Sequence, residues 1–187
     1  MQKLKIVIVG PSQTGKTLIA NTLSEANESL EVRPTQGCRI VEFELNDIVL
    51  NNKVTKVLIE LWDCSGQHKF NNCWPIIRDR ANGVILVHSD FNLETQQELD
   101  MFYKFFVTNN GLNAKHCVVF NHTGDNTGKL GSNFLRISQI KVDLSEIEVL
   151  KKDFSEYITS LLMLRAEANE SRGSVSSRPG GHSITGM

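Results

Sequence analysis

Gly10-Pro11-Ser12-Gln13-Thr14-Gly15-Lys16-Thr17 fits the pattern G-x-x-x-x-G-K-[ST], and it directly follows an apolar run at residues 4–9. Glycines let a backbone wrap tightly, so that consecutive N–H groups and the start of the next helix point at an anion. The pattern therefore predicts a phosphate-binding loop between a strand and a helix. A plain glycine turn is the alternative, but chance rarely supplies the whole pattern in that context.

The loop supplies both a cradle and a cation. We expect the phosphates of a nucleotide to lie against seven consecutive residues, Ser12, Gln13, Thr14, Gly15, Lys16, Thr17 and Leu18. Lys16 would reach the β- and γ-phosphates, and the Thr17 hydroxyl would join the ligands of a Mg²⁺ ion. The segment is thus predicted to bind a nucleotide together with a divalent metal.

Composition argues against several other classes of function. The 187 residues suit one α/β domain, and 20 Lys and Arg balance 21 Asp and Glu. No basic block is present, so no nucleic-acid partner is expected. The four cysteines lack metal-ligand spacing and no secretory leader precedes the first strand, so we expect reduced thiols in the cytoplasm. No apolar run has the length of a membrane span, and neither terminus carries an acylation or prenylation signal, so no direct membrane anchor is expected.

Strand-like runs alternate with helical ones, which is typical of a parallel sheet covered by helices. Six strands are predicted, at residues 4–9, 40–45, 54–61, 83–89, 117–121 and 139–144. The second and third are close enough to form a hairpin, which makes one strand antiparallel. Helices are predicted at residues 15–26, 93–107 and 145–168, with a shorter one between residues 73 and 80. Two irregular connections are expected, an exposed insertion with a polar tip around residues 46–56 and a long loop at residues 124–135.

These elements predict the P-loop NTPase fold, with a six-stranded, mostly parallel sheet that has one antiparallel strand and helices on both faces. Residues 1–168 would form this small-GTPase-like domain. Residues 169–187 are rich in Ser, Gly and Arg and have few apolar side chains. Because such a segment cannot bury enough apolar surface to offset its ordering entropy, we expect it to be a disordered tail.

The third predicted helix carries four closely spaced aromatic residues, Phe102, Tyr103, Phe105 and Phe106. Neighbouring positions on a helix point in different directions, so one buried stripe cannot hold all four. We expect Phe102 and Phe106 to pack in the core and part of the remaining aromatic surface to be exposed.

A second chemical cluster, Trp62-Asp63-Cys64-Ser65-Gly66-Gln67, lies at the end of the third predicted strand. Ligands bind at the carboxyl ends of strands in α/β sheets. Asp63 is expected to hold Mg²⁺ through water, and the Gly66 N–H to meet a γ-phosphate. Gln67 is the candidate catalytic residue, because a glutamine there can orient a water molecule for attack on the γ-phosphorus. The alternative is a solvated side chain without a catalytic role.

Taken in order, the phosphate-binding loop, Thr35 before Gly37, and the second cluster resemble a Ras-superfamily small GTPase of the Rab-like kind. The resemblance covers residues 4–165. Within that group, residues 33–40 and 63–75 resemble the Rab-like five family of the intraflagellar transport particle, and the Cys-Trp-Pro step that ends the second stretch is its most particular element.

The resemblance implies GTP and GDP as ligands, together with Mg²⁺. It implies two segments that respond to the γ-phosphate, one around Thr35 and one at residues 66–80. Thr35 would add its hydroxyl to Mg²⁺ only when the γ-phosphate is present, although a plain surface threonine is the alternative. The resemblance also implies coiled-coil partners from the intraflagellar transport complex, and a location in the cytoplasm and at the cilium or flagellum and its base. A monomer is the expected state of the chain alone.

The segment that reads the base departs from the family pattern. Small GTPases use Asn-Lys-x-Asp, whereas this chain has Asn121-His122-Thr123-Gly124-Asp125. Asn121 is in place, but Gly124 occupies the position of the aspartate and Asp125 is displaced by one residue. Either the loop bulges to bring Asp125 back to the base or the base is read differently. Because losing the aspartate contact would weaken selectivity for guanine, ATP is kept as an alternative ligand. His122 replaces the lysine, and a loop histidine without a role is the simpler interpretation.

These observations favour a nucleotide-dependent adaptor subunit whose own hydrolysis is slow or absent. Ser12 stands where many small GTPases have glycine, and its side chain would crowd the attacking water. Two alternatives remain. One is an active GTPase switch, in which Gln67 supports hydrolysis stimulated by a partner. The other is a structural interaction module with permanently bound nucleotide or none.

Overall fold

The structure, a computed structural model, describes residues 2–26, 34–89, 92–122 and 130–175, and the side chains of the last helix as far as residue 171. Three predictions fall wholly or partly outside this range. Asp125 and the first half of the predicted loop at residues 124–135 lie in the segment 123–129, and most of the predicted tail lies in residues 176–187.

Six strands form one sheet. They are β1 (Gln2–Val9), β2 (Cys38–Leu50), β3 (Lys53–Cys64), β4 (Gly83–His88), β5 (Cys117–Asn121) and β6 (Ser138–Lys141). Their spatial order is β2-β3-β1-β4-β5-β6. β2 runs antiparallel to β3, and every other neighbouring pair is parallel. The predicted sheet with one antiparallel strand is confirmed.

Helices lie on both faces of this sheet, as predicted. In the described residues they are α1 (Lys16–Ser24), α2 (Trp74–Arg78), α3 (Leu93–Phe106) and α4 (Ile147–Val175). Short 3-10 turns occur at His68–Cys73, Thr108–Asn110, Ala114–His116 and Ser132–Phe134. α1 and α4 pack on one face, and α2 and α3 pack on the other.

The strand β1 joins the two halves of the core. Leu4, Ile6 and Ile8 pack with α1 and α4, whereas Val7 and Val9 pack with α2 and α3, because successive side chains of a strand point to opposite faces. All five are at most 1% exposed. The second half of β1, residues 6–9, is buried on both faces and is continuously apolar, which explains why the strand was recognisable from the sequence.

The hairpin of β2 and β3 differs from the prediction of an exposed connection at residues 46–56. Both strands continue through that region to a two-residue turn at Asn51 and Asn52, where φ is 50° and 61°. Positive φ at both positions is typical of a type I′ turn. A register shift between Leu45 and Ile48 marks a bulge, and Ile48 is only 2% exposed. The prediction missed the strands because this turn lacks the glycine that usually marks a hairpin.

Two further connections were predicted. The short helix between residues 73 and 80 is confirmed as α2. The loop at residues 124–135 is described only from residue 130, and there a 3-10 turn buries Phe134 completely. Together with the buried Leu130, this side chain fixes the described end of that loop in the core.

The last helix is longer than predicted. α4 continues to Val175, seven residues beyond the predicted end at residue 168. Its packed part is shorter, because Leu162 is 1% exposed whereas side chains 167–171 are all exposed. The predicted boundary thus lies near the end of the packing rather than the end of the helix. None of the helices in the described part of the chain combines the length and the apolar character needed to cross a membrane.

Candidate functional site

The phosphate-binding loop leaves β1 at Gly10 and enters α1 at Lys16. Gly10 and Gly15 have φ of 150° and 87°, and Gln13 between them has φ of 64°. A Cβ at Gly10 would lie 2.0 Å from the carbonyl oxygen of Val87, so the loop crosses β4 more closely than any side chain allows. The two glycines therefore let the loop curl tightly against the end of the sheet.

A cleft of about 410 Å³ opens beside this loop. Most of the predicted site lines it, namely Ser12, Gln13, Thr14, Gly15, Lys16, Thr17, Leu18, Thr35, Gly66 and Gln67. Asp63 is not a lining residue, because it is completely buried behind the cleft. Asn121 does not line the cleft either, although its neighbour His122 does. A second cleft of about 420 Å³, between β6 and α4, contains none of the predicted residues.

Lys16 is held by the loop to which it belongs. Its ammonium donates hydrogen bonds to the Pro11 carbonyl at 2.5 Å and to the Thr14 hydroxyl at 3.3 Å. Burial lowers the pKa of Lys16 from its ordinary value of 10.5 to about 8, and the nearby Asp63 carboxylate opposes that change. A buried cation is a favourable partner for the phosphates of a ligand.

Oxygen atoms from three separate parts of the chain converge at the inner wall of the cleft, which Thr17 and Thr35 line and behind which Asp63 lies. The Thr17 hydroxyl lies 2.9 Å from the Thr35 hydroxyl and donates to Asp63 Oδ2 at 2.8 Å. The Thr35 hydroxyl lies 3.5 Å from the same carboxylate oxygen. Burial raises the pKa of Asp63, while the hydrogen bond from Thr17 acts in the opposite direction.

This cluster fits a Mg²⁺ ion. Asp63 is completely buried, and within the described residues its Oδ1 has no hydrogen-bond partner. Leaving a buried carboxylate oxygen unpaired is costly, and a cation supplies the missing interaction. Hydroxyl and carboxylate oxygens are also the ligand type that Mg²⁺ prefers.

Arg39 is a site residue that sequence reasoning missed. Its guanidinium lies 3.5 Å from Asp63 Oδ2 and donates a hydrogen bond to Asn21 Oδ1 at 2.5 Å. Arg39 and Asp63 are directly opposite each other in the β2–β3 register. Only that register reveals the pair, because the two residues are far apart in sequence. Arg39 supplies part of the positive charge that the buried carboxylate requires.

Gly66 closes the cleft from the other side. A Cβ at this position would lie 2.5 Å from the Ser12 nitrogen and 2.6 Å from both the Gly10 oxygen and the Pro11 carbonyl carbon. All three atoms belong to the backbone of the phosphate-binding loop, so they cannot rotate away. Glycine is therefore required for this close approach, which brings the second segment directly onto the loop.

The rest of the second segment, residues 66–80, is held at its two ends. Gln67 lines the cleft, and the 3-10 turn His68–Cys73 that follows has no buried residue. At the other end, the Trp74 ring packs against three phenylalanine rings of α3 at centroid distances of 5.2, 5.3 and 5.5 Å. Two of these rings, Phe102 and Phe106, are completely buried, as predicted. Between Gln67 and Trp74 the segment therefore contains a stretch without buried residues, in which His68 Nε2 lies 3.1 Å from Glu98 Oε1.

His122 makes a contact that the sequence did not predict. Its Nδ1 lies 3.2 Å from the Thr14 carbonyl oxygen, and because a carbonyl only accepts, the Nδ1 carries the hydrogen in this contact. A Cβ at Gly15 would lie 2.3 Å from the same nitrogen. The imidazole therefore packs on the phosphate-binding loop and does not stand free in solvent.

Comparisons with known proteins agree with this geometry. Residues 5–124 match the family model described as Ras of Complex, Roc, domain of DAPkinase. The intraflagellar transport protein 22 homolog of Mus musculus is 37% identical over 180 residues, covering 91% of this chain and 96% of that protein. The homolog of Homo sapiens is 35% identical over 178 residues, with the same coverage.

Solved structures share the fold. The GTP-bound crystal structure of T. brucei IFT22/74/81 superposes with a TM-score of 0.69 at 23% identity, covering 90% of this chain and 99% of that one. The GDP-bound crystal structure of T. brucei IFT22 gives a TM-score of 0.64 at 21% identity, covering 88% and 99%.

Proposed function

This chain belongs to the Ras-like intraflagellar transport protein 22 family, and we propose that it is a GTP-binding adaptor subunit of the intraflagellar transport complex. In this proposal GTP and GDP are its ligands, and the nucleotide state governs docking. The supporting observation is that the cation of Lys16, the hydroxyls of Thr17 and Thr35, and the buried carboxylate of Asp63 converge at one cleft.

Three residues would hold Mg²⁺, Thr17 and Thr35 through their hydroxyls and Asp63 through water. When bound, the ion neutralises charge on the β- and γ-phosphates. Thr17 lies on α1 and Asp63 on β3, both packed elements, whereas Thr35 lies outside any helix or strand. Thr35 is therefore the ligand that can respond to the γ-phosphate, which would couple its segment to nucleotide state.

We propose that guanine is the preferred base. The T. brucei relatives are GTP-bound and GDP-bound, and His122 brings the end of the base-reading strand onto the phosphate-binding loop. Asn121 and Asp125 would contact the base, with the loop bulged to bring Asp125 into position. A site that hydrogen-bonds its ligand rejects an analogue that leaves those groups unpaired.

Hydrolysis by the chain alone is proposed to be slow. Ser12 and Gln67 both line the cleft, and the backbone of Ser12 lies against Gly66. A serine side chain at this crowded point takes space that an attacking water or a partner's arginine would occupy. Gln67 would orient the water when a partner stimulates hydrolysis.

The proposed partners are coiled-coil proteins of the intraflagellar transport complex. A T. brucei relative is found in the crystal structure of IFT22/74/81. We propose that this chain is a monomer alone, docks onto such partners when loaded with nucleotide, and acts in the cytoplasm and at the cilium or flagellum and its base.

Calorimetric titration of the purified chain with GTP, GDP and ATP, each with and without Mg²⁺, tests the ligand assignment. We expect both guanine nucleotides to bind and ATP to bind at least about tenfold more weakly. Thr17→Ala should weaken Mg²⁺-GTP binding by about tenfold or more, since a hydrogen bond to a charged group is worth about 1.5–3 kcal/mol. The matched control is Thr22→Ala, because Thr22 lies on the same helix and donates to the Leu18 carbonyl. Absence of guanine-nucleotide binding, or tighter binding of ATP, would refute the assignment.

Lys16→Ala tests the adaptor role in a pull-down with a coiled-coil partner complex. Loss of docking by a variant whose circular dichroism is unchanged supports nucleotide-dependent docking. Unchanged docking would instead identify a scaffold that does not need nucleotide. Phosphate release by the wild-type chain and by Gln67→Ala, with and without the partner, then decides whether stimulated hydrolysis occurs.

A further inference from the structure

Two of the four cysteines face each other across the antiparallel strands. Cys38 begins β2 and Cys64 ends β3, and they are directly opposite in the register. Their sulfur atoms are 3.6 Å apart, and both thiols are free. The other two, Cys73 and Cys117, belong to the second segment and to β5.

The backbone pairing at these two positions is compatible with a disulfide. The Ser65 N–H donates to the Gly37 carbonyl at 2.8 Å, so the hydrogen bonds flank the pair and the two cysteines form a non-hydrogen-bonded pair. In such pairs the Cα atoms are about 4.5 Å apart, which lies within the range of about 4.4–6.8 Å that disulfides span. The sulfur atoms must approach to about 2.0 Å, and rotation of the side chains provides that movement.

The pair lies directly after the segment around Thr35 and directly before the segment that begins at Gly66. Cys38 follows Thr35 by three residues, and Cys64 comes directly after Asp63 and two residues before Gly66. Cys64 itself lines the cleft. A covalent bond here would join the two segments at the point where Thr35 and Asp63 meet Thr17.

We propose that Cys38 and Cys64 form an oxidation site at which hydrogen peroxide, or another small hydroperoxide, converts the two thiols into a disulfide that fixes the spacing between the Thr35 and Asp63 segments. Cys38 is partly exposed, whereas Cys64 is 1% exposed, so the oxidant reaches Cys38 first. Because side-chain rotation is enough to bring the sulfur atoms together, both cysteines keep their register in the sheet when the bond forms.

The chemistry balances in two steps. The Cys38 sulfur attacks one oxygen of the peroxide, the O–O bond breaks, and Cys38 sulfenic acid and one water are formed. The Cys64 sulfur then attacks the Cys38 sulfur, the S–O bond breaks, and the departing hydroxide takes the Cys64 proton as a second water. Two thiols and one peroxide thus give one disulfide and two waters, and a dithiol reductant reverses the change.

The consequence for nucleotide exchange rests on the proposed function. If Thr35 must move away from Asp63 before nucleotide leaves, then a bond between the two segments holds the cleft closed. We expect the oxidised protein to release GTP at least about fivefold more slowly than the reduced protein, which corresponds to a modest coupling between sites.

The first experiment tests the bond without nucleotide. The full chain is treated with hydrogen peroxide, its remaining thiols are alkylated, and the unreduced protein is digested for mass spectrometry. We expect a linked peptide pair containing Cys38 and Cys64, which is absent in Cys38→Ser and retained in Cys73→Ser. Linkage of either residue to Cys73, or oxidation of Cys38 to an acid without linkage, would overturn the proposal.

The second experiment measures release of a fluorescent GTP analogue from the oxidised and the reduced protein. Slower release from the oxidised wild type, with no such difference in Cys38→Ser, supports the closed cleft, and equal release overturns it. If the chain binds no guanine nucleotide, the proposed function fails, but the first experiment still tests whether Cys38 and Cys64 form a disulfide. In that case amide hydrogen exchange of residues 35–37 replaces the release measurement, and exchange that is not slowed by oxidation contradicts the fixed spacing.

Discussion

Replacing Lys16 by methionine should stabilise the nucleotide-free protein at neutral pH while removing nucleotide binding. Lys16 is 6% exposed, and burial lowers its pKa from 10.5 to about 8. This difference disfavours the charged form in the folded protein by about 3 kcal/mol, since each pKa unit is worth about 1.4 kcal/mol. Methionine has a similar length and no charge. It also loses the hydrogen bonds to Pro11 and Thr14, each worth about 1 kcal/mol, so we expect a net gain of about 1 kcal/mol.

The same substitution should have the opposite effect at high pH. The unfolded chain keeps the Lys16 proton up to about pH 10.5, whereas the folded protein releases it near pH 8, so the unfolded state binds more protons between these values. The stability of the wild type therefore rises with pH through this window, relative to Lys16→Met, by up to about 3 kcal/mol. Above it the wild type is more stable, because its neutral amine keeps the two hydrogen bonds.

Urea unfolding of both proteins without nucleotide, at about pH 7 and about pH 10, measures this change of sign. The control is Lys53→Met, which removes an exposed lysine at the start of β3. A difference in unfolding free energy that is the same at both pH values would refute the reasoning about Lys16. A variant that is less stable than the wild type at neutral pH would also contradict it.

Three further predictions concern the packing around the site. Gly66→Ala should weaken GTP binding at least about tenfold in a fluorescence titration, because the new Cβ would lie only 2.5–2.6 Å from backbone atoms of the phosphate-binding loop. Unchanged affinity would show that the segment shifts to accommodate the Cβ at little cost. Gly15→Ala should lower the free energy of unfolding by about 2 kcal/mol, because the new Cβ would lie 2.3 Å from His122 Nδ1. Adding His122→Ala to this variant removes that overlap and should recover at least about 0.5 kcal/mol of the loss. Additive effects in that double-mutant cycle would exclude the contact. Phe102→Ala should cost about 3–5 kcal/mol in urea unfolding, because the ring is completely buried against Trp74; a loss below about 1 kcal/mol would show that this cluster is not tightly packed.

The fold was predictable where the sequence signal is local. The apolar residues 6–9 at the end of β1 and the glycine pattern after them are adjacent in sequence, and together they predict the turn from strand to helix. The burial of Phe102 and Phe106 likewise follows from helical spacing. In both cases the residues that determine the local structure lie within one short stretch of sequence.

The sequence could not show contacts that depend on the strand register. The pairs Arg39 with Asp63 and Cys38 with Cys64 exist only because β2 and β3 align with these residues opposite each other. That alignment depends on the turn at Asn51 and on a bulge, neither of which has a strong local signal. The role of Asp125 stays a prediction, since the described residues do not include it.

The outer part of α4 has a physical consequence of its own. The helix has 29 residues, about 44 Å at about 1.5 Å per residue, but the side chains of residues 167–171 touch no core. These turns persist because the packed part has already met the cost of helix nucleation. They will fray inward from Val175 on warming, so the domain loses some far-ultraviolet ellipticity before its sheet begins to melt.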